Sequence, residues 1–391
     1  MQKKIKLLPL VKWPGGKDRE LKHFKHLFPI SFDNYYEPFV GGGAVYFSLS
    51  DHHSFYINDK SDELINFYRL TKAQNKQFFK YLIEINRSWI EIDKFRELYK
   101  DFYIHTYINY SNDISTEEET IITFESYLKE KENEFLDLLS FDIKKDLFLK
   151  EIKKSMISKI KRMKEIEKKK HKLSKEDILD NILGSIKNAF YMYIRNLYNH
   201  IKEYSLDKEF ASVLFYFIRM YTYSGMFRYN KAGKFNVPYG GIGYNKKNMN
   251  KKIEYFQNKD LIEHFQKTEI FEEDFEDFFN KTNPNKEDFI FLDPPYDSKF
   301  STYAKNVFDK NDQRRLANYL IEKCNAKWML VIKNTELISS LYEIDTKTVG
   351  GNKKISRVAF DKKYQVSFMD RNNKDVEHLI ITNYKLDLSS N

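Results

Sequence analysis

One stretch decides how this chain folds: residues 35–47, YYEPFVGGGAVYF. Its pattern predicts a short strand that ends near Phe39, a turn at the three glycines and a helix that starts near Ala44. A strand, a glycine turn and a helix in this order cradle nucleotides in open α/β sheets. The glycine spacing matches neither the dinucleotide fingerprint nor a Walker loop. Because Glu37 suits an ammonium group better than a phosphate, the stretch predicts a site for a nucleoside that carries a cation.

Two neighbouring stretches extend this predicted site. Residues 54–59, SFYIND, indicate a second strand that ends in Asp59, and an acid at this position usually holds ribose hydroxyls. Asp59 or Ser61 as the N-cap of the following helix is the alternative, and the two roles are compatible in neighbouring residues. Upstream, residues 13–17, WPGGK, place a large ring and a cation beside two glycines that allow close backbone approach to a ligand. The alternative there is a plain turn before a helix near Asp18.

The stretch at residues 289–296, FIFLDPPY, offers the chemistry. A buried strand ends where the loop Asp293-Pro294-Pro295-Tyr296 begins, and open α/β sheets place ligands at the carboxyl ends of their strands. Because proline has no backbone N–H, the loop presents a carboxylate, carbonyls and an aromatic face. These groups fit a planar amine whose hydrogens Asp293 accepts while Tyr296 stacks on its face. An ordinary turn at the end of a strand is the alternative, since Asp and Pro are common turn residues.

The middle of the chain has a different character. Residues 74–204 show a charged helical pattern that is too long for a crossover in a doubly wound sheet, which predicts an inserted helical domain. Its lysine-rich helix, near residues 152–172, either faces solvent or lies along a phosphate backbone. We therefore divide the chain into a first catalytic part (1–73), an inserted recognition domain (74–245) and a second catalytic part (246–391).

An aromatic and basic segment closes the inserted domain. Residues 221–240, YTYSGMFRYNKAGKFNVPYG, indicate a β-hairpin that turns at residues 230–233. Cations that alternate with aromatic rings are typical of nucleic-acid grooves, where arginine reads guanine and rings stack on bases. An ordinary surface hairpin is the alternative. The residues predicted to contact nucleic acid are Arg228, Asn230, Lys231 and Lys234.

Composition limits the class of protein. The chain has 391 residues, enough for two domains or for one domain with a large insertion. Its formal net charge of +9 is compatible with a polyanionic partner. The single cysteine, Cys324, excludes an internal disulfide and any multi-cysteine metal site, and we expect it in the core and no metal in the protein. No run approaches the roughly 20 apolar residues of a membrane span, so we expect a soluble cytoplasmic protein without a membrane partner.

Taken in order, these motifs resemble the Dam-like family of DNA adenine methyltransferases, in which the recognition region lies between the cofactor motif and the catalytic motif. The resemblance rests on residues 12–17, 37–43, Asp59, 228–240 and 293–296, and it does not cover the long helical block. It implies a Rossmann-like α/β methyltransferase sheet with an inserted, mainly helical DNA-recognition domain. It also implies S-adenosylmethionine as the cofactor and double-stranded DNA as the partner.

The resemblance assigns roles to the matching positions. Asp293 and the Pro294 carbonyl would accept hydrogen bonds from the amine of a flipped-out adenine, with Pro295 in the same loop and Tyr296 stacked beneath the base. Asp59 would hold the cofactor's ribose. Asp274 would accept from the cofactor's adenine amine, although an N-cap role is equally compatible with its position. The residues that would bind the cofactor are Trp13, Lys17, Glu37, Phe39, Gly41, Asp59, Asp274, Phe275 and Asp293.

The expected activity is therefore site-specific methylation of adenine in DNA. We expect a monomer that acts as the modification half of a restriction–modification pair, with a cognate endonuclease encoded nearby in a bacterium or phage. Methylation of the cytosine amine, or of adenine in RNA, is one alternative, and a DNA-binding regulator without turnover is another. Residues 333–334, KN, stand where family members often have a Ser-Asn pair, so we assign no role there.

Overall fold

The structure is a computed structural model, and it describes residues 5–49, 54–295, 308–350, 354–363 and 375–386. The chain divides into two compact units. We call Met1–Ala73 with Asn258–Asn391 the sheet unit, and Gln74–Gln257 the helical unit.

Seven strands within the described residues form one sheet, with the order β3-β2-β1-β4-β5-β7-β6. Their bounds are β1 (Asn34–Glu37), β2 (Ser54–Asn58), β3 (Thr268–Phe271), β4 (Phe289–Leu292), β5 (Lys327–Lys333), β6 (Ser356–Lys363) and β7 (Asp375–Thr382). The first five strands pair in parallel, and β7 is antiparallel to both of its neighbours. Strand order reverses between β1 and β4, which is where doubly wound sheets bind ligands. The predicted α/β fold class is therefore confirmed.

The helices of the described residues follow in chain order. They are α1 (Leu21–Phe24), α2 (Asp62–Lys72), α3 (Lys76–Ser111), α4 (Glu117–Glu130), α5 (Glu132–Leu136), α6 (Lys145–Lys169), α7 (Lys175–Asn199), α8 (Lys208–Tyr221), α9 (Asn250–Phe256), α10 (Lys259–Gln266), α11 (Phe275–Thr282), α12 (Lys310–Glu322) and α13 (Glu336–Leu341). Helices α3 to α9 belong to the helical unit and the remainder to the sheet unit.

Strand β4 is buried on both faces, which explains its uninterrupted apolar sequence. Ile290 and Leu292 belong to a core cluster that also contains side chains of α11, α12 and β5. On the opposite face, Phe291 stacks on Phe24 of α1 with 5.3 Å between ring centroids. Cys324 is buried in the first of these clusters, and burial raises the pKa of its thiol to about 12, so it is a core residue as expected.

The glycine turn is followed by less helix than predicted. No α-helix starts near Ala44 in the described chain; a single 3-10 turn at Tyr46–Ser48 follows instead. The rings of Tyr46 and Phe47 point into a packed aromatic cluster, where Tyr46 lies 4.5 Å from the ring of His264. Tertiary packing of these aromatics therefore replaces the expected helix.

The helical unit ends later than the expected residue 245. It runs to Gln257 because α3 holds the segment after residue 245. The indole N–H of Trp89 donates to the carbonyl of Lys247 at 2.7 Å, and the Asn86 side chain bonds the backbone of Met249. Met249, Ile253 and Phe256 recur at helical spacing and are buried, but such a pattern does not say which unit the segment packs against.

The lysine-rich helix α6 packs beside α4, where part of its charge is neutralised. Three of its lysines form ion pairs with acids on or just before α4: Lys153 with Glu125, Lys161 with Glu117, and Lys164 with Asp113, at 2.5–2.6 Å. These contacts favour the structural interpretation of the helix over a phosphate-binding one.

No helix in the described part of the chain is long and apolar enough to cross a membrane.

Candidate cofactor and catalytic site

The switch point of the sheet brings two acids to the same edge. Glu37 is the last residue of β1, and Asp293 directly follows β4, the strand beside it. Parallel pairing of the two strands places both carboxyl ends at one edge, so the acids lie near each other although 256 positions separate them in sequence. The sequence predicted both positions as strand ends, and the parallel pairing explains why they converge.

Glu37 is a buried acid with a specific hydrogen-bond partner. Its carboxylate is 3% exposed and accepts a hydrogen bond from the Tyr35 hydroxyl at 2.7 Å. Burial raises the pKa of Glu37 well above its usual range, and the negative charge of Asp293 raises it further. The hydrogen bonds from the Tyr35 hydroxyl and the Tyr46 amide, and the charge of Lys17, lower the pKa but do not cancel the effect of burial. A buried carboxylate of this kind gains most from a cationic ligand, which would restore its charged form.

Lys17 connects the N-terminal glycine segment to Asp293. Its ammonium lies 2.5 Å from Asp293 Oδ1 and 3.1 Å from the carbonyl of Gly15. The Lys17 side chain is 2% exposed, whereas that of Asp293 is 18% exposed. A buried cation therefore holds one carboxylate oxygen of the acid that follows β4, and this acid retains access to solvent. Lys17 was predicted to belong to the site but not to contact Asp293.

The glycine turn leaves no room for side chains. Gly41 and Gly43 adopt positive φ angles of 49° and 79°. A Cβ on Gly43 would lie 2.6 Å from the Tyr68 hydroxyl, and one on Gly41 would lie 2.7 Å from the Trp13 ring. Both positions thus require glycine for conformation and for space. The close contact also places Trp13 directly against the turn, as the predicted site requires.

Asp59 holds the same turn from the second strand. One carboxylate oxygen accepts the backbone N–H of Gly41 at 3.0 Å, and the other accepts that of Ser61 at 3.0 Å. Ser61 is the N-cap of α2, but its side chain makes no capping hydrogen bond. Asp59 therefore ties the glycine turn to the start of α2.

Asp274 occupies the N-cap of α11, which was the alternative to its cofactor role. Its side chain accepts the Glu276 amide at 3.1 Å and the Arg315 guanidinium at 2.7 Å. Burial alone would raise the pKa of Asp274, but Arg315 and the Glu276 amide outweigh burial and lower it. Phe275, the next residue, is buried and lies 6.0 Å from the ring of Phe39, so these two predicted residues do meet.

The predicted hairpin of the helical unit is only partly regular. We call residues 222–239 the basic loop; isolated antiparallel bridges join Thr222 to Tyr239 and Tyr229 to Phe235. Continuous strands do not form in this described segment, because a 3-10 turn at Tyr223–Gly225 interrupts the first arm.

The side chains at the tip of the basic loop have distinct environments. The side-chain oxygen of Asn230, Oδ1, accepts two loop amides, including that of Lys234 at 2.9 Å, so Asn230 shapes the turn. Arg228, Lys231 and Lys234 are exposed, with Arg228 donating to Asn236 and Lys234 contacting His200. Three cations therefore reach solvent on one ordered loop.

The remaining predicted residue, Tyr296, lies outside the described residues, as the chain is described to Pro295 on that side. Pro294 and Pro295 lie directly after Asp293 in the described loop.

A family model for the D12 class N6 adenine-specific DNA methyltransferases matches residues 13–125 and 123–355 of the chain. Together these matches cover most of its length and include both acids of the switch point. The chain belongs to this family. The resemblance drawn from the sequence motifs is therefore confirmed, and the match also covers the long helical block, which those motifs did not reach.

Individual relatives agree with the family. The chain is 25% identical to the type II methyltransferase M.CviBI of Paramecium bursaria Chlorella virus NC1A, over 96% of this chain and 99% of the relative. It is 25% identical to the type II methyltransferase M1.LlaDCHI of Lactococcus lactis subsp. cremoris, over 87% and 86%. The retron Ec67 DNA adenine methylase of Escherichia coli is 31% identical over 39% of this chain and 50% of its own length.

Sequence reasoning missed several residues that build this site. Asn58 is buried at the end of β2, where its side chain bonds the backbone of Pro38 and of Glu273 and so ties three strand ends together. Tyr35 orients Glu37, and Gln313 contacts the Pro295 carbonyl. Asn58 offered a weak signal, as a polar residue directly before the predicted ribose acid, whereas the partners of Tyr35 and Gln313 depend on tertiary packing.

Proposed function

We propose that this chain transfers a methyl group from S-adenosylmethionine to the exocyclic amine of an adenine within a specific sequence of duplex DNA. The observation that carries the proposal is the pair of acids at the switch point, Glu37 and Asp293. One is buried and gains from a cation, and the other begins a loop of hydrogen-bond acceptors. This pair provides for a cationic cofactor and an amine substrate at one edge of the sheet.

The residues around Glu37 fit the cofactor. The buried Glu37 carboxylate would hold the ammonium of the methionine end, beside Trp13, Lys17, Phe39 and Gly41. The glycine turn lets backbone approach this group because it carries no side chains. S-Adenosylmethionine supplies a methyl group bonded to a sulfonium. The neutral thioether formed when this carbon–sulfur bond breaks is a good leaving group.

The nucleoside part of the cofactor would lie along the ends of β2 and β3. Asp59, at the end of β2, would accept the ribose hydroxyls, as an acid at this position usually does. The adenine would lie beside Phe275 and Phe39, with Asp274 near its amine. Because the Asp274 carboxylate also caps α11 and binds Arg315, its position is held rigidly before a ligand arrives.

The catalytic loop would act on the target amine by accepting hydrogen bonds from its two N–H groups. An adenine amine is a weak nucleophile because its lone pair is delocalised into the ring. Acceptance of its two hydrogens by Asp293 and the Pro294 carbonyl favours a pyramidal nitrogen, an interaction that strengthens in the transition state. Lys17 orients the Asp293 carboxylate for this contact. Tyr296 would stack on the base, which must leave the duplex to reach the loop.

The basic loop would supply DNA contacts. Its exposed cations Arg228, Lys231 and Lys234 suit phosphates and base edges, while Asn230 shapes the turn that presents them.

Two relatives are named type II methyltransferases. We therefore propose a monomeric, DNA-associated cytoplasmic enzyme that is the modification half of a restriction–modification pair with a cognate endonuclease.

Substitution of Asp293 tests this proposal. We expect Asp293→Ala to lower methyl transfer to duplex DNA by at least about a hundredfold, the effect of removing one contact made in the transition state. Asp293→Asn keeps one acceptor oxygen for Lys17 but replaces the second oxygen by an NH2 donor, so it should fold normally and lose most of the activity. The measurement is incorporation of labelled methyl groups, with thermal unfolding recorded for each variant.

Asp277→Ala is the matched control, because Asp277 is an exposed acid on α11 of the same unit. It should retain wild-type activity. Full activity of Asp293→Ala would refute the catalytic role. Mass spectrometry of nucleosides from treated DNA and RNA identifies the product: N6-methyladenine in DNA supports the proposal, whereas N4-methylcytosine, or methylated adenine in RNA alone, would replace it. Absence of any product with intact DNA binding would indicate a regulator.

A further inference from the structure

The Pro294–Pro295 pair creates a hydrogen-bonding problem for the catalytic loop. Neither residue has a backbone N–H, so the loop cannot stabilise itself through its own amides at these two positions. Its carbonyls need donors from elsewhere. The carbonyl of Pro295 finds one in Gln313, whose Nε2 donates to it at 2.9 Å.

Gln313 is placed rigidly. It lies in the first turn of α12, and its side chain is fully buried. Asp309 and Asp312 form a capping box that fixes the start of this helix. Arg315 bonds Asp312 and also Asp274 on the neighbouring α11, so the helix end is tied to the rest of the site.

The other end of the Gln313 amide is unusual. Its Oε1 is buried and has no hydrogen-bond partner among the residues that the structure describes. A buried polar atom without a partner costs free energy, and an apolar side chain of similar size would avoid that cost. Stability therefore does not explain a glutamine at this position, whereas the bond from Nε2 to the catalytic loop does.

We propose that Gln313 is a positioning residue that holds the Pro295 carbonyl, and through it sets the orientation of the Pro294 carbonyl and Asp293 toward the substrate amine. The inference rests on the proposed function of that loop. Because the proline rings restrict rotation, fixing one carbonyl of the pair limits the other. A loop that is misplaced by about 1 Å loses catalytic rate without losing its ligands.

Gln313→Met tests the proposal, because it keeps the length of the side chain but removes the donor. We expect kcat for DNA methylation to fall 10- to 100-fold. The KM for S-adenosylmethionine, its Kd by calorimetry and the fluorescence of 2-aminopurine at the target position should stay within about twofold. The unfolding temperature should not fall, since the unpaired Oε1 is also removed. Asn318→Leu, an exposed amide on the same helix, is the matched control and should keep wild-type kcat.

Gln313→Glu provides an independent pH test. A protonated carboxyl can donate to the Pro295 carbonyl, whereas a carboxylate cannot. The kcat of this variant relative to wild type should therefore rise as pH is lowered, while that of Gln313→Met should not change with pH. This comparison also decides the matter if Gln313→Met folds poorly.

The positioning role would be overturned if Gln313→Met kept the kcat of the wild type, or if the kcat of Gln313→Glu relative to wild type did not change with pH. DNA methylation by the unaltered chain would still support the proposed function in that case. A kcat loss in Gln313→Met that is matched by a lower unfolding temperature and weaker cofactor binding would also overturn it in favour of a structural role. Absence of DNA methylation by the wild-type chain would instead refute the proposed function itself.

Discussion

At the scale of the residue, Glu37 is an acid of the proposed cofactor site whose burial lowers the stability of the ligand-free protein. Its carboxylate is buried with a hydroxyl and an amide as partners, and burial still raises its pKa well above the usual range. The folded protein therefore binds a proton at Glu37 more tightly than the unfolded chain does. As pH rises through the range between the unfolded and the folded pKa, this group makes the ligand-free protein progressively less stable.

Glu37→Gln should separate stability from cofactor binding. At neutral pH we expect an unfolding temperature of the ligand-free protein equal to or above that of wild type, because the amide removes a buried titrating acid but keeps an acceptor for Tyr35. Binding of S-adenosylmethionine, measured by calorimetry, should weaken at least tenfold. Glu322→Gln, an exposed acid on α12, is the control for both measurements. A destabilised variant that binds normally would contradict this prediction.

The pKa of Glu37 also predicts how cofactor binding depends on pH. A bound ammonium favours the charged carboxylate, so binding should release a proton and the affinity of the wild type should increase with pH below the raised pKa of Glu37. The increase should end near the raised pKa of Glu37. Calorimetry in buffers of different ionisation enthalpy measures the released proton. The variant Glu37→Gln should release none, and an equal release from it would exclude Glu37 as the source.

At the scale of the element, the glycine turn after β1 joins local conformation to tertiary packing. Its positive φ angles could be anticipated from three consecutive glycines, but the close approach of Trp13, Phe47 and Tyr68 could not. The Tyr68 hydroxyl donates to the carbonyl of Gly41, and the Asp59 carboxylate accepts the N–H of Gly41. The peptide groups on both sides of the Gly41 Cα are thus held by side chains from outside the turn.

Gly43→Ala should test how much of this depends on space. A side chain at positive φ costs about 1–2 kcal/mol, and at Gly43 it would also displace the Phe47 ring and the Tyr68 hydroxyl. The free energy of unfolding, measured with denaturant, should therefore fall by more than that penalty. Gly15→Ala is the control, since Gly15 has φ of 77° but nothing within 4 Å of the added Cβ. Equal losses in the two variants would show that packing at Gly43 is unimportant.

At the scale of the whole molecule, the lysines of α6 and the cations of the basic loop have different surroundings. Helix α6 contains nine lysines, but three of them pair with acids of or near α4. The basic loop has fewer cations, and they are exposed on an ordered turn. Charge counted along the chain therefore overstates α6 as a DNA-binding surface.

Two lysine substitutions should distinguish these surfaces. Lys231→Ala should weaken duplex binding and lower the salt dependence of log Kd by about one unit of slope if it contacts a phosphate. Lys161→Ala should leave both unchanged, because Lys161 is paired with Glu117 at 2.6 Å. Fluorescence anisotropy of a labelled duplex across a range of salt concentrations measures both quantities. A larger effect of Lys161→Ala would assign the DNA surface to α6.

The sequence by itself determined the order of the motifs, the strand ends that carry Glu37, Asp59 and Asp293, and the family to which the chain belongs. These features are local, since they depend on an apolar run, a glycine turn or a proline pair. The missing helix at Ala44 shows the limit of such reasoning, because aromatic packing of Tyr46 and Phe47 outweighed a local pattern.

Only the tertiary structure decided which groups meet. Parallel pairing of β1 with β4 brings Glu37 near Asp293, and a buried Lys17 contacts that acid from the far end of the chain. The same packing brings Gln313 Nε2 to the Pro295 carbonyl and leaves the side-chain oxygen Oε1 without a described partner. Contacts of this kind join positions that are distant in sequence, and no periodicity or spacing records them, because each is set by how the sheet and its helices pack.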